Sequence, residues 1–329
     1  MKVNMLKQLV FLTVTLSIVN SQLFSQEVPI TVDTQLVTVP VVVYDRSGRV
    51  VTGLGKDDFE ILENGVKQSI ANYVSEEVPI TVMFLVDNSG SMRNELNLLV
   101  DVLNIGLASL RPEDTLIVAS FDDNKKIKIL VSPKKKQDFS NIVTFYPGTG
   151  LGYTTTFNAV DSGLKYLQQF EGKKALILFT DGELYGLGVS MQDNFRLAEE
   201  ETSVIYTVRF GEYPTVQPGI TVTDKIQAVL LARRYGNALG IPKKELEKFI
   251  KRVKSYLEGL SERTGGRSYD VLTLEDAKRA YREIVAELGY LINLSYYPIP
   301  EAKKGEKRSI TVKVKVPNTA VRHRPWVVY

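Results

Sequence analysis

The chain has 329 residues, 44% apolar and 24% charged, the balance of a folded globular protein with room for one large domain or two modest ones. Its 41 basic and 38 acidic residues leave a formal charge of +3, and two of the positives, Lys2 and Lys7, fall in an expected leader, so nothing favours a nucleic-acid partner. The absence of cysteine excludes disulfides, thiolate metal sites and a Cys nucleophile, and the single histidine, His323, excludes a His-rich metal site and would have to carry any Ser-His-Asp triad alone.

Residues 1–25 have the form of a secretory signal peptide. Lys2 and Lys7 make a positive start, Leu9–Val19 is an 11-residue, largely apolar run, and Ser21 and Ser25 are small residues ahead of a cut. That run is far shorter than the ~20 residues a helix needs to span a bilayer. Cleavage and export are therefore expected, to a periplasm, a cell surface or the extracellular space, with no membrane span in the mature chain. An exported chain without cysteine suits a bacterial envelope better than a disulfide-built secretome.

Residues 26–78 read as an N-terminal β segment. Gln35–Tyr44 is extended and β-branched, Asp45-Arg46-Ser47-Gly48 is a turn, and short strands at Phe59–Leu62 and Gln68–Tyr73 flank the turn Glu63-Asn64-Gly65. Over residues 79–289 strands and helices alternate. Val78–Val86 is a nearly continuous apolar run, as a strand covered on both faces requires. A helix follows at about 93–110 with Leu96, Leu99, Val100, Leu103 and Leu107 on one side. Thr115–Phe121 and Lys126–Ser132 form a hairpin. Helices are expected at 137–145 and 155–170, a second doubly buried strand at Ala175–Thr180, a helix at 191–201 and a strand at Ser203–Phe210. Residues 212–243 make a long connection with a short helix near Asp224–Arg234. A helix at 243–263, closed by the C-cap signal Gly265-Gly266, a strand near Arg267–Asp270 and a helix at 274–289 complete the series. Residues 290–329 return to β, with strands at Tyr290–Tyr297, Ser309–Val316 and Ala320–Tyr329. Each β segment is small for an independent sheet. The expected fold is therefore α/β: a doubly wound, mostly parallel sheet inserted between N- and C-terminal β segments that pair into a small β-sandwich.

The chemistry concentrates at strand ends. Asp87-Asn88-Ser89-Gly90-Ser91 puts three oxygen-bearing side chains at spacing two directly after a buried strand, where open α/β sheets place their ligands. A helix cap needs only one such residue. Thr180-Asp181-Gly182-Glu183 follows the second buried strand, and Gly148–Thr156 is a glycine-rich loop ending in a threonine cluster. Two carboxylates among hydroxyls suit a hard cation such as Mg²⁺, Mn²⁺ or Ca²⁺ better than zinc or copper.

These residues resemble the von Willebrand factor type A domain, whose metal-ion-dependent adhesion site (MIDAS) uses the DxSxS set, a threonine from a glycine loop and the aspartate of TDG. The resemblance covers about residues 79–289 and implies a Rossmann-like domain holding one divalent cation, Mg²⁺ first and Mn²⁺ or Ca²⁺ next. It implies direct ligation by Ser89 and Ser91, water-mediated ligation by Asp87 and Asp181, and a direct or near role for Thr154. Asn88, Thr155, Gly182 and Glu183 would neighbour the ligand. Gly152-Tyr153-Thr154 stands where Gly-Gly-Thr is usual, so the threonine ligand could slip by one or two. Arg93-Asn94-Glu95 lacks the acid pair of a second metal site. The flanks Val41–Phe59 and Leu294–Pro298 look like a bacterial, notably acidobacterial, exported family related to this domain. The implied function is a non-enzymatic binding module that captures an Asp or Glu of a protein partner through the cation. The alternatives are a Mg²⁺-dependent hydrolase on the same sheet and a scaffold with a vestigial site. Lys134-Lys135-Lys136 reads as a solvated loop, Lys303–Arg308 as a charged hairpin tip, Tyr290, Tyr296, Tyr297 and Trp326 as sandwich core or edge, and His323, between Arg322 and Arg324, as an exposed strand residue.

Overall fold

The longest apolar runs form the innermost strands. The computed structural model describes residues 36–74, 78–90, 92, 96–122, 126–139, 154–182, 184–211, 216–217, 238–239 and 243–329. In chain order these form β1 (Val37–Asp45), β2 (Phe59–Glu63), β3 (Val66–Gln68), β4 (Ile70–Val74), β5 (Ile80–Asp87), α1 (Leu96–Ser109), β6 (Thr115–Phe121), β7 (Lys128–Lys135), α2 (Thr156–Leu167), β8 (Lys173–Thr180), α3 (Met191–Glu200) and β9 (Val204–Phe210). The short pair β10 (Val216–Gln217) and β11 (Ala238–Leu239) precedes α4 (Lys243–Thr264), β12 (Ser268–Val271), α5 (Leu274–Gly289), β13 (Ile292–Tyr296), β14 (Lys307–Val314), β15 (Thr319–His323) and β16 (Trp326–Val328).

The central sheet has the order β12-β9-β8-β5-β6-β7, parallel throughout except for β7, which returns antiparallel beside β6 as the hairpin pattern requires. β5 and β8 lie inside it and are buried along their whole length. Helices cover both faces. On one, Leu99, Leu103 and Leu107 of α1 and Ala277, Tyr281 and Ile284 of α5 pack on Phe84, Val86, Ile177 and Phe179. On the other, Phe157 and Leu164 of α2, Phe195 of α3 and Tyr256 and Leu260 of α4 pack on Met83, Leu85, Leu176 and Leu178. The alternation along each strand thus feeds two cores, which is why the strands read as unbroken apolar runs.

The terminal β segments pair with each other. One sheet has the order β15-β1-β13-β4 and the other β16-β14-β2-β3, and their inner faces share the core of Val39, Val41, Val43, Phe59, Ile61, Leu294, Ile310 and Val312. This is the sandwich, and the α/β unit is inserted into it. β1 is apolar on both sides because Val42 and Tyr44 face the core of the α/β unit instead. Its Pro40 sits opposite Asn293 of β13, at a level where β15 is not yet paired, so its missing N–H removes no ladder bond.

Several expectations change. The strand expected at Gln68–Tyr73 breaks at Ser69: β3 pairs with β2, whereas β4 pairs with β13 in the other sheet. The strand expected at Ala320–Tyr329 breaks likewise at Arg324-Pro325, with β15 on β1 and β16 on β14. Both breaks are corners where the chain passes between sheets. The helix expected at 137–145 is a single 3-10 turn, Lys136–Asp138, followed by extended Phe139, and the rest of that span lies outside the described residues. So does the helix expected near Asp224–Arg234. Lys134 and Lys135 are not in a loop but on β7, an edge strand, where lysines discourage pairing with another chain. Arg308 belongs not to a hairpin tip but to the interior, paired with buried Glu63 at 2.9 Å. His323 is half-buried rather than exposed. Tyr296 is core, whereas Tyr290 and Tyr297 are exposed. Among the described residues no helix is long and apolar enough to cross a membrane.

Candidate metal centre

β5 and β8 end side by side, since Val86 pairs with Phe179 and the next residues are Asp87 and Thr180. Both side chains are fully buried. The Thr180 hydroxyl donates to Asp87 Oδ2 at 2.9 Å and accepts from the Gly182 N–H at 3.0 Å. The Ser89 N–H donates to Asp87 Oδ1 at 3.0 Å. Gly182 stands at φ +91°, a conformation that lets the chain turn away immediately after Asp181 and that favours glycine. The TDG triplet is therefore a working unit: the threonine holds the first carboxylate, the aspartate adds a second, and the glycine makes the bend.

Electrostatically the pair is in tension. Burial raises the Asp87 carboxyl well above the ordinary carboxylate range, and the Asp181 charge raises it further, against the hydrogen bonds from Ser89 and Thr180. The Asn88 N–H is fixed by the Phe121 carbonyl at 2.8 Å, which ties this loop to the end of β6, while Asn88 Oδ1 is buried without a hydrogen-bond partner among the described residues. Met92, fully buried in the core, anchors the far side of the loop, and its N–H reaches the Ser89 carbonyl at 3.1 Å.

The threonine cluster arrives at the same rim. Thr154, Thr155 and Thr156 are all buried at the start of α2. Thr155 donates to the Asp122 carbonyl through its N–H at 2.9 Å and its hydroxyl at 3.2 Å, and Asp122 directly follows β6. The loop after Asp181 is pinned in turn. Phe157 N–H meets the Tyr185 carbonyl at 3.0 Å, and the Asn158 amide bridges both backbone groups of Leu187, accepting at 2.7 Å and donating at 3.2 Å. Asn194 holds the Phe157 carbonyl at 3.0 Å and accepts from Tyr256 at 2.7 Å.

Of the expected site residues, the structure brings Asp87, Asn88, Ser89, Asp181 and Gly182 together, and seats Thr154 and Thr155 at the same sheet edge through Asp122. Ser91 and Glu183 lie outside the described residues, as do Gly148–Tyr153 of the glycine loop. Roles for Thr180, Asn158 and Asn194 were not anticipated, nor was the use of the Asp122 backbone carbonyl as an anchor. Thr180 could have been found, since it precedes the expected aspartate. The asparagines act across helices and carry no local signal. Among the described residues no group of three or more Asp, Glu or His side chains surrounds a common point. The donor set is instead two carboxylates with hydroxyls, a combination that chemically matches a hard divalent ion. The Asp87 carboxyl, raised by burial and then by the neighbouring Asp181 charge, sits in a negative field that such an ion would relieve.

The site also points away from the sandwich. The chain enters the α/β unit at the start of β5 and leaves it at the end of α5, both at the opposite edge of the sheet from Asp87 and Thr180.

A family model described as von Willebrand factor type A domain matches residues 82–183. Similar solved structures include proximal thread matrix protein 1 from the mussel byssus with a zinc-occupied MIDAS motif, at 15% identity over 68% of this chain and 50% of that one, with a TM-score of 0.45. Von Willebrand factor type A from Catenulispora acidiphila matches at 10% identity over 82% of this chain and 72% of that one, TM-score 0.42. The pilus adhesin SpaC from Lactobacillus rhamnosus GG matches at 9% identity over 84% of this chain and 44% of that one, TM-score 0.46. The chain spans about 50% of the length of the mussel protein. Among curated proteins none matches.

Proposed function

We propose that this chain, which carries a von Willebrand factor type A domain, is a metal-dependent protein-binding module whose site holds one divalent cation, Mg²⁺ first, and captures an Asp or Glu of a partner. Ser89, Ser91 and Thr154 are the hydroxyl ligands in this reading, and Asp87 and Asp181 act through water. The observation that carries it is the buried Asp87 carboxylate, held by Thr180 and Ser89 beside the charge of Asp181. Bound there, the cation supplies an open coordination position to an incoming carboxylate. Asp87 and Asp181, acting through water, would leave such a cation most of its charge, and the Thr180 hydroxyl, itself met by the Gly182 N–H, holds the Asp87 carboxyl in place. The rim lies at the sheet edge opposite the sandwich attachment, which supports access by a protein-sized partner. The signal at residues 1–25 and the flanks Val41–Phe59 and Leu294–Pro298 support an exported, bacterial setting.

Two measurements test this. Titration calorimetry with Mg²⁺ and Mn²⁺ should show one site on the unmutated protein, with affinity reduced tenfold or more in Ser89→Ala, equivalent to about 1.4 kcal/mol. Partners retained from an envelope extract should elute with EDTA and be absent from a Ser89→Ala column. A partner set indifferent to EDTA and to Ser89 would remove the proposal.

A further inference from the structure

In the α/β unit each helix returns from the site rim to the opposite edge of the sheet, so the helix C-termini gather where the sandwich is attached. Such ends expose unpaired carbonyls and partial negative charge, and they favour Lys or Arg in the last turn. α3 and α5 do the reverse. Neither has a basic residue in its last turn. α3 runs out through Glu199, Glu200 and Glu201, and α5 carries Glu287 in its final turn, buried. Neither helix supplies a cation for its own end.

Within the α/β unit Arg111 donates to the Gly289 carbonyl of α5 at 2.7 Å, Arg267 stands 3.8 Å from Glu287 and Lys174 3.8 Å from Glu201; the other cations come from the sandwich. Arg324, buried at the corner between β15 and β16, donates to the carbonyls of Glu201 at 3.0 Å, Ala198 at 3.2 Å and Glu199, closing the end of α3. Arg322, on β15, donates to the Glu287 carboxylate of α5 and, through Nε at 2.8 Å, to the carbonyl of Gly265, the residue that follows α4. Lys307, at the start of β14, reaches the Glu199 carboxylate at 3.0 Å, which Arg263 of α4 meets at 2.9 Å. The apolar contact runs the same way, since Val42 and Tyr44 of β1 belong to the core of the α/β unit. The guanidinium groups of Arg322 and Arg267 lie over the Tyr44 ring, 5.4 Å and 5.7 Å from its centre.

We propose that Arg322, Arg324 and Lys307 form a cationic clamp with which the sandwich closes the C-terminal ends of α3, α4 and α5, so that the two parts unfold as one cooperative unit. The α/β unit is then not autonomous, because its helices depend on charges carried by strands more than 100 residues away along the chain from α3.

The protein contains its own probe. Trp326, the only tryptophan, lies on β16 with the Lys307 ammonium 4.0 Å and the Arg263 guanidinium 5.5 Å from its ring. Its emission reports the sandwich at the joint, and far-UV circular dichroism reports the helices. In thermal unfolding of the full chain the two midpoints should coincide. In Arg324→Gln and in Arg322→Gln the two signals should separate by roughly 5 °C or more. Lys313→Gln, an exposed β14 residue whose ion pair with Glu60 lies within the sandwich, should leave them together. Where Arg324→Gln yields no folded protein, Arg324→Lys, which keeps the charge but loses the fork, is read in the same way. Separate midpoints in the unmutated chain, or coincident midpoints in the arginine variants, would overturn the clamp.

Discussion

A buried carboxylate is costly unless donors or a cation meet it, and Thr180 joins Ser89 in making Asp87 tolerable. Its hydroxyl serves two partners, donating to Asp87 Oδ2 and accepting from the Gly182 N–H. Thr180→Val keeps the shape and removes both bonds. It should destabilise the protein by about 1–3 kcal/mol in denaturant unfolding, and an unchanged midpoint would mean that the hydroxyl is not needed there. His323 is held neutral by geometry. Its Nε2 accepts from the Val312 N–H at 3.2 Å and its Nδ1 lies 2.7 Å from the Arg324 carbonyl, which assigns the proton to Nδ1. Burial lowers its pKa. The unfolded chain therefore takes up a proton before the folded one does. The contribution of this histidine is present above about pH 6.5 and lost as the pH falls below it. Stability should decline over that window, and His323→Gln should flatten the decline. An equal slope in the variant would assign the effect to other groups.

At the scale of elements, helix ends and sheet corners decide the local path. α4 closes with a Schellman turn: Gly265 adopts φ +82° and the Gly266 N–H reaches back to the Ser261 carbonyl at 2.8 Å. This end was legible, because a glycine pair after a periodic helix has few other meanings. A further constraint was not legible: a Cβ on Gly266 would lie 1.9 Å from the Ile205 carbonyl oxygen of β9. Gly266→Ala should therefore cost about 2 kcal/mol or more, since backbone must move to admit it. A thermal midpoint matching the parent would show that the sheet yields. The corners at Ser69 and Arg324-Pro325 were hidden for a related reason. Residues on either side alternate alike, and alternation says which face is buried but not which sheet supplies the neighbour. The lysines of β7 were misread because a strand edge and a loop expose side chains equally.

At the scale of the molecule, insertion of the α/β unit into the sandwich places the site at one end and the joint at the other. A ligand that binds only the folded rim should stabilise the whole chain if the two parts are one cooperative unit. Mg²⁺ at about 100 times its dissociation constant should add about 2.7 kcal/mol. The midpoint should rise with Mg²⁺, fall back with EDTA, and stay unmoved in Ser89→Ala. An Mg²⁺-induced rise of the same size in that variant would place the ion elsewhere. His323 was read as exposed because a polar residue on a terminal strand looks solvated unless its partner across the sandwich, here the Val312 N–H, is known.

The sequence alone determined the strand–helix alternation, the doubly buried strands and the place of the Asp87 and Asp181 loops, because each follows from a local period or from a motif at a strand's end, and the small size of the two β segments pointed to their pairing. Only the tertiary structure decided which sheet each half-strand joins, that Thr180 supports Asp87, and that Arg322 and Arg324 complete the helices α3 to α5. Those outcomes depend on what stands opposite a residue across a core or a joint, and spacing along a chain carries no record of that.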